Sequence, residues 1–173
     1  LPATSHRMLM KYFRNDPDFP KVPEGVKFSP GVQNLGPDAN EYRGHSGKIL
    51  DGDKTGVTVS TFTAHSSPLG LVFDNGHVLS DEFKGDGFVL RNTLGSKSSL
   101  MKPFTDQGRD LLHLDMSYDK GSDNYFVKTT RIVDSFNNPT DAVLLGNSLY
   151  VIEYDARVGS IWKVTLPGGS KKV

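Results

Sequence analysis

The sequence predicts an all-β protein whose strands form blades of a β-propeller, preceded by an extended N-terminal arm. The main observation is an internal repeat, in which Pro68 and Glu82 recur as Pro139 and Glu153 at one offset of 71 residues. Each copy contains three short runs of β-forming residues, separated by residues that favour turns. This order of strand, tight turn, strand, loop and strand is typical of a propeller blade, which must bury its faces against two neighbours.

The composition agrees with a turn-rich β domain and excludes several classes of function. The 173 residues include 18 Gly and 10 Pro and are 36% hydrophobic, with a mean hydropathy of −0.40. The 20 basic and 20 acidic residues cancel, so no long-range field attracts nucleic acid or an anionic membrane. The absence of cysteine excludes disulfides, thiolate catalysis and cysteine-ligated zinc. No apolar run approaches the ~18–20 residues that cross a bilayer, so no membrane span is predicted.

The second copy of the repeat shows its three runs most clearly. Gly146 and Asn147 separate the first two runs, and Gly159 precedes the third. The runs are rich in Val, Ile, Leu and Tyr, which favour strands. We predict one strand for each run, over 141–145, 149–154 and 160–166.

Further strands are predicted outside the repeat. Residues 110–116 and 125–132 are β candidates separated by a polar turn at 119–124. Residues 56–64 alternate with Val57, Val59 and two threonines on one face, which predicts another outer strand. These strands would extend the blades.

The N-terminal part is predicted to form a short helix and an extended arm, and no blade strands. Residues 5–14 have the spacing of a short helix capped by Ser5. Residues 15–40 carry five prolines, too many for a regular helix or a central strand, and predict an extended arm lying on another surface. We therefore divide the chain into an arm and polar connecting segment over 1–56, blades over 57–166 and a flexible tail over 167–173.

The order and spacing of four short motifs resemble those of a known protein family. They start at His65, Lys84, Asn138 and Leu149, and read HSSPLGLVF, KGDGFVL, NPTDAV and LYVI. Over roughly residues 57–166 the chain resembles the C-terminal blades of the quinoprotein glucose and sorbosone dehydrogenase family. The resemblance implies a six-bladed propeller that holds pyrroloquinoline quinone and calcium over a central channel and oxidises sugars to lactones.

The resemblance also implies which residues would meet the cofactor. Lys84 falls at the position of a strand-end lysine that contacts the quinone, where it would act as a point charge. A solvated loop lysine before a Gly-Asp-Gly turn is the favoured alternative from the sequence alone. Asn138 and Thr140 stand where the family has arginines that neutralise the carboxylates of the quinone. The general base and the calcium ligands belong to earlier blades, which have no counterpart in this chain. His65 and His113 are predicted to be loop or core histidines held by hydrogen bonds.

A separate metal site is suggested by Asp51, Asp53 and Thr55. These oxygen-bearing residues alternate and precede Gly56, as in the first half of a calcium-binding loop. Phe62 stands where the bidentate glutamate would be, so an ordinary β-turn is the favoured alternative. Residues 42–46 combine Arg43, a histidine and hydroxyl groups, which suits either a channel lining or a polar strand edge.

The chain is too short to form a complete propeller by itself, which leads us to predict a partner. A blade takes roughly 40–45 residues and a ring needs at least four blades, so this chain supplies only part of a ring. Two blades alone would expose both flanking sheet faces. We expect a second polypeptide, such as the remainder of a cleaved precursor beginning before Leu1, or another copy of the chain to complete the propeller. A smaller β-sandwich made of the same strands is the alternative fold.

Two functions are compatible with these features. The first is part of a secreted or periplasmic quinone-dependent sugar dehydrogenase, with Lys84 at the cofactor. The second is a non-catalytic extracellular propeller with a structural or carbohydrate-binding role, which the neutral Asn138 and Thr140 favour.

Overall fold

The computed structural model of the chain contains strands, turns and loops, and no helix among the residues that it describes. These are residues 25, 31–37, 41–43, 46–51, 62–63, 66–93, 102, 104–106, 108–155 and 157–169. The all-β prediction is confirmed for this part of the chain. The predicted helix over 5–14 and most of the predicted strand over 56–64 lie outside it.

Within the described residues, ten strands form three sheets. In chain order the strands are β1 (Gln33–Pro37), β2 (Glu41–Arg43), β3 (Ile49–Asp51), β4 (Pro68–Phe73), β5 (Gly87–Arg91), β6 (Asp110–Asp119), β7 (Asn124–Val133), β8 (Pro139–Leu145), β9 (Ser148–Glu153) and β10 (Ser160–Thr165). The sheets have the orders β1-β7-β6-β5-β4, β10-β9-β8 and β2-β3. Only β1 pairs in parallel, with β7, and the other pairs are antiparallel.

Five of the predicted strands are confirmed outside the first repeat copy. The three runs of the second repeat copy are β8, β9 and β10, and the two candidates between the copies are β6 and β7. The polar turn between β6 and β7 is closed by Asp119, whose carboxylate accepts hydrogen bonds from the backbone N–H groups of Gly121 and Ser122. Both strands belong to the five-stranded sheet.

Of the three strands predicted in the first repeat copy, the first and third are confirmed as β4 and β5, and the middle one is wrong. Residues 78–82 form no strand, apart from an isolated bridge between Leu79 and Gly168. β5 pairs directly with β4 instead. β5 therefore occupies the place next to β4 that β9 occupies next to β8. The sequence repeat instead aligns β5 with β10.

Asp74 provides the physical reason for this difference. Its fully buried carboxylate accepts hydrogen bonds from three backbone N–H groups of the β4–β5 loop, at 3.0, 3.2 and 3.3 Å, which belong to Val78, Leu79 and Gly85. Backbone groups that a strand would offer to its neighbours are thus satisfied inside the loop. The equivalent residue of the second copy is Leu145, which has no acceptor, and there a tight turn joins β8 to β9.

The first residues of the predicted flexible tail are held against this loop. The backbone N–H of Ser80 donates to the carbonyl of Pro167 at 2.9 Å, and that of Gly169 donates to the carbonyl of Val78 at 2.9 Å. Residues 167–169 thus tie the end of the three-stranded sheet to the five-stranded sheet.

Part of the predicted extended arm is a strand. β1 lies inside the proline-rich segment and pairs with β7 through Gln33 and Asn34, with an irregularity before Pro37. This position is at the edge of the sheet, where a proline need not donate a ladder hydrogen bond.

The main core lies between the five-stranded and three-stranded sheets. The first sheet contributes Phe88, Leu90 and Leu111, and the second contributes Leu149 and Val151, all with no exposed surface. Complete burial of one such side chain stabilises the fold by about 1.5–3 kcal/mol. This core positions β4 beside β8.

β4 and β8 run in the same direction. Next to the start of β4, Asn92 donates from its backbone N–H to the carbonyl of Ser67 at 3.0 Å, and its side-chain amide donates to Oδ1 of Asn138 at 2.6 Å, just before β8. After β8, Asn147 donates to the carbonyl of Leu166 at 2.8 Å, near the β4–β5 loop. We call the end at which β4 and β8 begin the entry end, and the opposite end the loop end.

The two strands approach closely at Gly70. A Cβ atom at this position would lie 2.9 Å from the Cα of Asp141 and 3.0 Å from the backbone nitrogen of Ala142. Gly70 also has a φ of +56°, a left-handed conformation that glycine adopts at little cost. Glycine is therefore required here for two separate reasons.

The Gly70→Ala variant tests the packing of β4 against β8. We expect it to lower the free energy of unfolding by about 1–2 kcal/mol for the left-handed backbone and by about 1–3 kcal/mol more for the overlap with β8. The matched control is Gly146→Ala, because Gly146 has a φ of +57° and open space around its Cβ position. Urea unfolding measures both variants. Equal losses in the two variants would contradict the close approach.

Candidate functional site

Lys84, the residue expected at the cofactor, lies in the β4–β5 loop at the loop end of the sheets. It is exposed, and its side chain makes no hydrogen bond or ion pair with another described residue. The loop itself is held by Asp74 and by the backbone hydrogen bond from Asp86 to Phe83 at 3.2 Å. Lys84 is thus a solvated lysine on a well-fixed loop.

Asn138 and Thr140 lie at the entry end, around the start of β8. The side-chain amide of Asn138 donates to the carbonyl of Tyr154 at 2.7 Å, and its Oδ1 accepts from Asn92. The hydroxyl of Thr140 donates to the carbonyl of Ile152 at 3.3 Å. Both side chains join β8 to β9 or to the neighbouring sheet.

The structure therefore does not bring the three expected cofactor positions together. Lys84 follows the C-terminal end of β4, whereas Asn138 and Thr140 surround the N-terminal end of β8, which runs in the same direction. The two neutral side chains already use their polar atoms within the protein. These residues do not fit a quinone with three carboxylates, which requires cationic groups converging on one place.

The predicted calcium loop lies mostly outside the described residues. Asp51 is the last residue of β3 and pairs with Glu41 of β2, while Asp53 and Thr55 are not among the residues that the structure describes. Within the described part of the chain, no three His, Asp or Glu side chains gather as metal ligands.

His113 is a core histidine held by a hydrogen bond, as predicted. Its Nε2 lies 2.9 Å from Oδ2 of Asp86, and the other oxygen of that carboxylate accepts from the backbone N–H of Met116 at 3.1 Å. The ring is enclosed by Phe83 and Phe88, with centroid separations of 4.7 and 5.5 Å. An aspartate–histidine pair can serve as a general base, but this ring is only 7% exposed. His65 lies outside the described residues.

The strongest electrostatic feature is a buried network at the entry end, which the sequence analysis missed. Arg91 of β5 lies opposite Asp110 of β6, and both are fully buried. Arg91 donates through Nε and Nη2 to the two oxygens of Asp110, at 2.8 and 2.5 Å. Its Nη1 donates to Asp106 at 2.7 Å. Arg131 of β7 binds the same two carboxylates, at 2.7 and 2.9 Å.

The network keeps both arginines charged. Burial alone would lower the pKa of Arg91, but its hydrogen bonds and charge interactions, with Asp110 before Asp106, outweigh this effect and raise the pKa above its ordinary value. The pKa of Arg131 is raised in the same way, against burial, chiefly by Asp110. Two cations facing two anions are therefore neutralised as a group, as a buried charge requires.

The same network fastens loops to the entry end. The hydroxyl of Thr63 donates to Asp106 at 2.8 Å, and accepts from the backbone N–H of Glu41 at 2.6 Å. The carboxylate of Glu41 in turn accepts from the backbone N–H of Asp106 at 2.8 Å and from the hydroxyl of Thr105 at 2.6 Å. The arrangement binds structural elements together and leaves no open cationic site.

An apolar groove runs along the face of the five-stranded sheet that points away from the three-stranded sheet. Its volume is about 410 Å³, and the residues that line it include Leu69, Leu71, Phe73, Val89, Leu114 and Met116. Three of these belong to β4 and are substantially exposed, with Leu71 56% exposed. A contiguous apolar surface of this kind is typical of an interaction site.

A second apolar surface covers the opposite side of the molecule. We call it the outer face; it is the side of the three-stranded sheet that points away from the core and carries Val143, Leu145, Tyr150, Ile152 and Ile161. Leu145 is 60% exposed and Ile161 is 70% exposed. The two sheets thus bury one face each against the other, and the remaining faces expose many apolar side chains, with the charged Asp141 and Lys163 also on the outer face. The sequence predicted that both flanking sheet faces would be exposed, but it did not predict which residues form the groove.

No protein-family model, curated protein or solved structure matches the chain. Among the residues that the structure describes, no helix is long and apolar enough to cross a membrane.

Removal of the buried guanidinium tests the network at the entry end. We expect Arg91→Met to lower the free energy of unfolding by about 3–5 kcal/mol, because it leaves the buried Asp110 with one cation fewer. Arg131→Met is the matched control, since Arg131 binds the same carboxylates with its side chain 27% exposed, and we expect a smaller loss. Urea unfolding at pH 7 measures both. A loss for Arg91→Met no larger than that for Arg131→Met would contradict the account.

Proposed function

We propose that residues 66–169 are two adjacent blades of a β-propeller of the glucose and sorbosone dehydrogenase type, and that this chain has a structural, non-catalytic role in the ring. The observation that carries the proposal is the arrangement of β4 and β8 as neighbouring strands of consecutive sheets that run in the same direction. The proposal includes a secreted or periplasmic location, which the family resemblance implies.

The connectivity supports the assignment of blades. β4, β5, β6 and β7 form an antiparallel meander in which sequential strands are neighbours, and β8, β9 and β10 form another. The two meanders are joined by residues 134–138, which connect the end of β7 to the start of β8. β7 is the last strand of the first meander, although β1 adds a further strand outside it. A step from the last strand of one meander to the innermost strand of the next is how consecutive propeller blades are joined.

The exposed apolar faces support a place within a larger ring. Each blade of a propeller packs between two neighbours, and each of the two larger sheets here has one neighbour and a second face rich in exposed apolar side chains. Neither sheet closes on itself among the described residues. A β-sandwich complete in two layers would instead present polar residues on its outward faces.

Quinone-dependent sugar oxidation is the second candidate, and the order of the sequence motifs is what favours it. The positions at which the resemblance places cofactor contacts are Lys84 at the loop end and Asn138 with Thr140 at the entry end. These positions are separated and offer one cation, so we derive no reaction step from them. The structural role is the one that the geometry supports better.

A titration with pyrroloquinoline quinone and excess calcium tests this choice. We expect the chain to show no saturable change in the quinone absorbance, because the two cations that converge in its described part, Arg91 and Arg131, are already neutralised by Asp106 and Asp110. Inorganic calcium alone and the Lys84→Ala variant are measured alongside.

Saturable binding of one quinone per chain that Lys84→Ala abolishes would overturn the non-catalytic role. The matched control is Lys120→Ala, since Lys120 is an exposed lysine of another turn, between β6 and β7. A loss of binding in both variants would reveal only non-specific attraction of the anionic quinone to lysines, and would leave the proposed role intact.

A further inference from the structure

We propose that a second copy of this chain packs head to tail, with the groove of one copy on the outer face of the other. This inference rests on the proposed function, because it treats each sheet as one unit of a repeating stack. It names the partner that covers the two apolar surfaces.

The internal repeat identifies which face should receive the next sheet. Val72 in β4 and Val143 in β8 occupy equivalent positions at the repeat offset. Val72 points into the core and packs against the buried cluster that the two sheets share. Val143 points away from the core and is 48% exposed. By the repeat, the outer face is therefore the surface on which a further sheet would sit, as the three-stranded sheet sits on Val72.

The same comparison identifies the surface that would make the contact. Ala142 and Leu144 of β8 point into the core and pack against the same buried cluster between the two sheets. Their repeat equivalents in β4 are Leu71 and Phe73, which lie in the groove. The groove thus corresponds to the surface with which the three-stranded sheet already binds its neighbour.

Both halves of the missing contact are present on one chain, which points to a second copy as the partner. The groove of one molecule and the outer face of another would reproduce the pairing that exists inside each molecule. A formal net charge of zero removes long-range repulsion between copies. A contact between two different surfaces is heterologous, and it closes into a ring when the rotation between copies allows closure.

Engineered cysteines test the contact, because the chain has no cysteine of its own. Leu71 and Val143 lie on opposite sides of the molecule, so cysteines at these positions cannot join within one copy. We expect a mixture of the Leu71→Cys and Val143→Cys variants to give, on mild oxidation, a disulfide-linked species of twice the chain mass. The control mixture combines Leu71→Cys with Ser122→Cys, which places the second cysteine in the exposed turn between β6 and β7, and we expect no such species from it.

Light scattering of the unmodified chain provides a second measurement that does not depend on variants. We expect the average mass to rise with concentration, and Val143→Asp to shift this rise to at least tenfold higher concentration without changing the circular dichroism spectrum. A monomer at every concentration, with no product in the mixed oxidation, would overturn the second-copy proposal. So would cross-linking of Val143→Cys with itself in preference to Leu71→Cys, which would indicate a symmetric contact.

The two proposals fail in different ways. A persistent monomer that binds no quinone refutes the head-to-tail contact and keeps the structural role in a ring made with another protein. Saturable quinone binding through Lys84 refutes the non-catalytic role, whatever the cross-linking shows.

Discussion

The packing of β4 against β8 is the constraint on which the rest of the structure depends. A β-sheet with apolar residues on both faces must bury both, and the core between the two sheets satisfies only one face of each. The close approach at Gly70 sets the distance between the two strands. The alternation of side chains along each strand then places Leu71 and Val143 on opposite sides of the pair. The groove and the outer face are direct consequences of this packing.

Polar groups organise the two ends of the sheets in different ways. At the entry end, Arg91 and Asp110 form a buried pair that holds together β5, β6 and, through Arg131, β7. At the loop end, the carboxylate of Asp74 holds a long loop by its backbone N–H groups. In both places charge is used to satisfy buried groups, and this use leaves the described part of the chain without an assembled cationic site. This distribution of charge is the main support for the proposed structural role.

The sequence predicted those elements whose signal is local. β6 to β10 were predicted from β-forming runs and turn residues, because these strands pair with sequence neighbours through short turns. The missing strand over 78–82 was not foreseen, since the competing hydrogen bonds come from Asp74, whose role depends on the folded loop. β1 was hidden by prolines that an edge strand tolerates. The Arg91–Asp110 pair had a weak signal, namely opposite charges within apolar runs, but recognising it requires the register of β5 on β6. The separation of Lys84 from Asn138 depends on strand direction, which motif order does not contain.

The most direct test of this account measures the relative direction of β4 and β8 with pairs of engineered cysteines within one chain. Asn92 and Asn138 have side chains 2.6 Å apart at the entry end, and the account predicts that a short thiol-reactive cross-linker joins cysteines at these positions within one chain. Asn147 lies at the loop end, so a cysteine pair at 92 and 147 is predicted to remain unlinked by the same reagent. Cross-linking of the 92–147 pair in preference to the 92–138 pair would show that β4 and β8 run in opposite directions, and would contradict the assignment of adjacent blades.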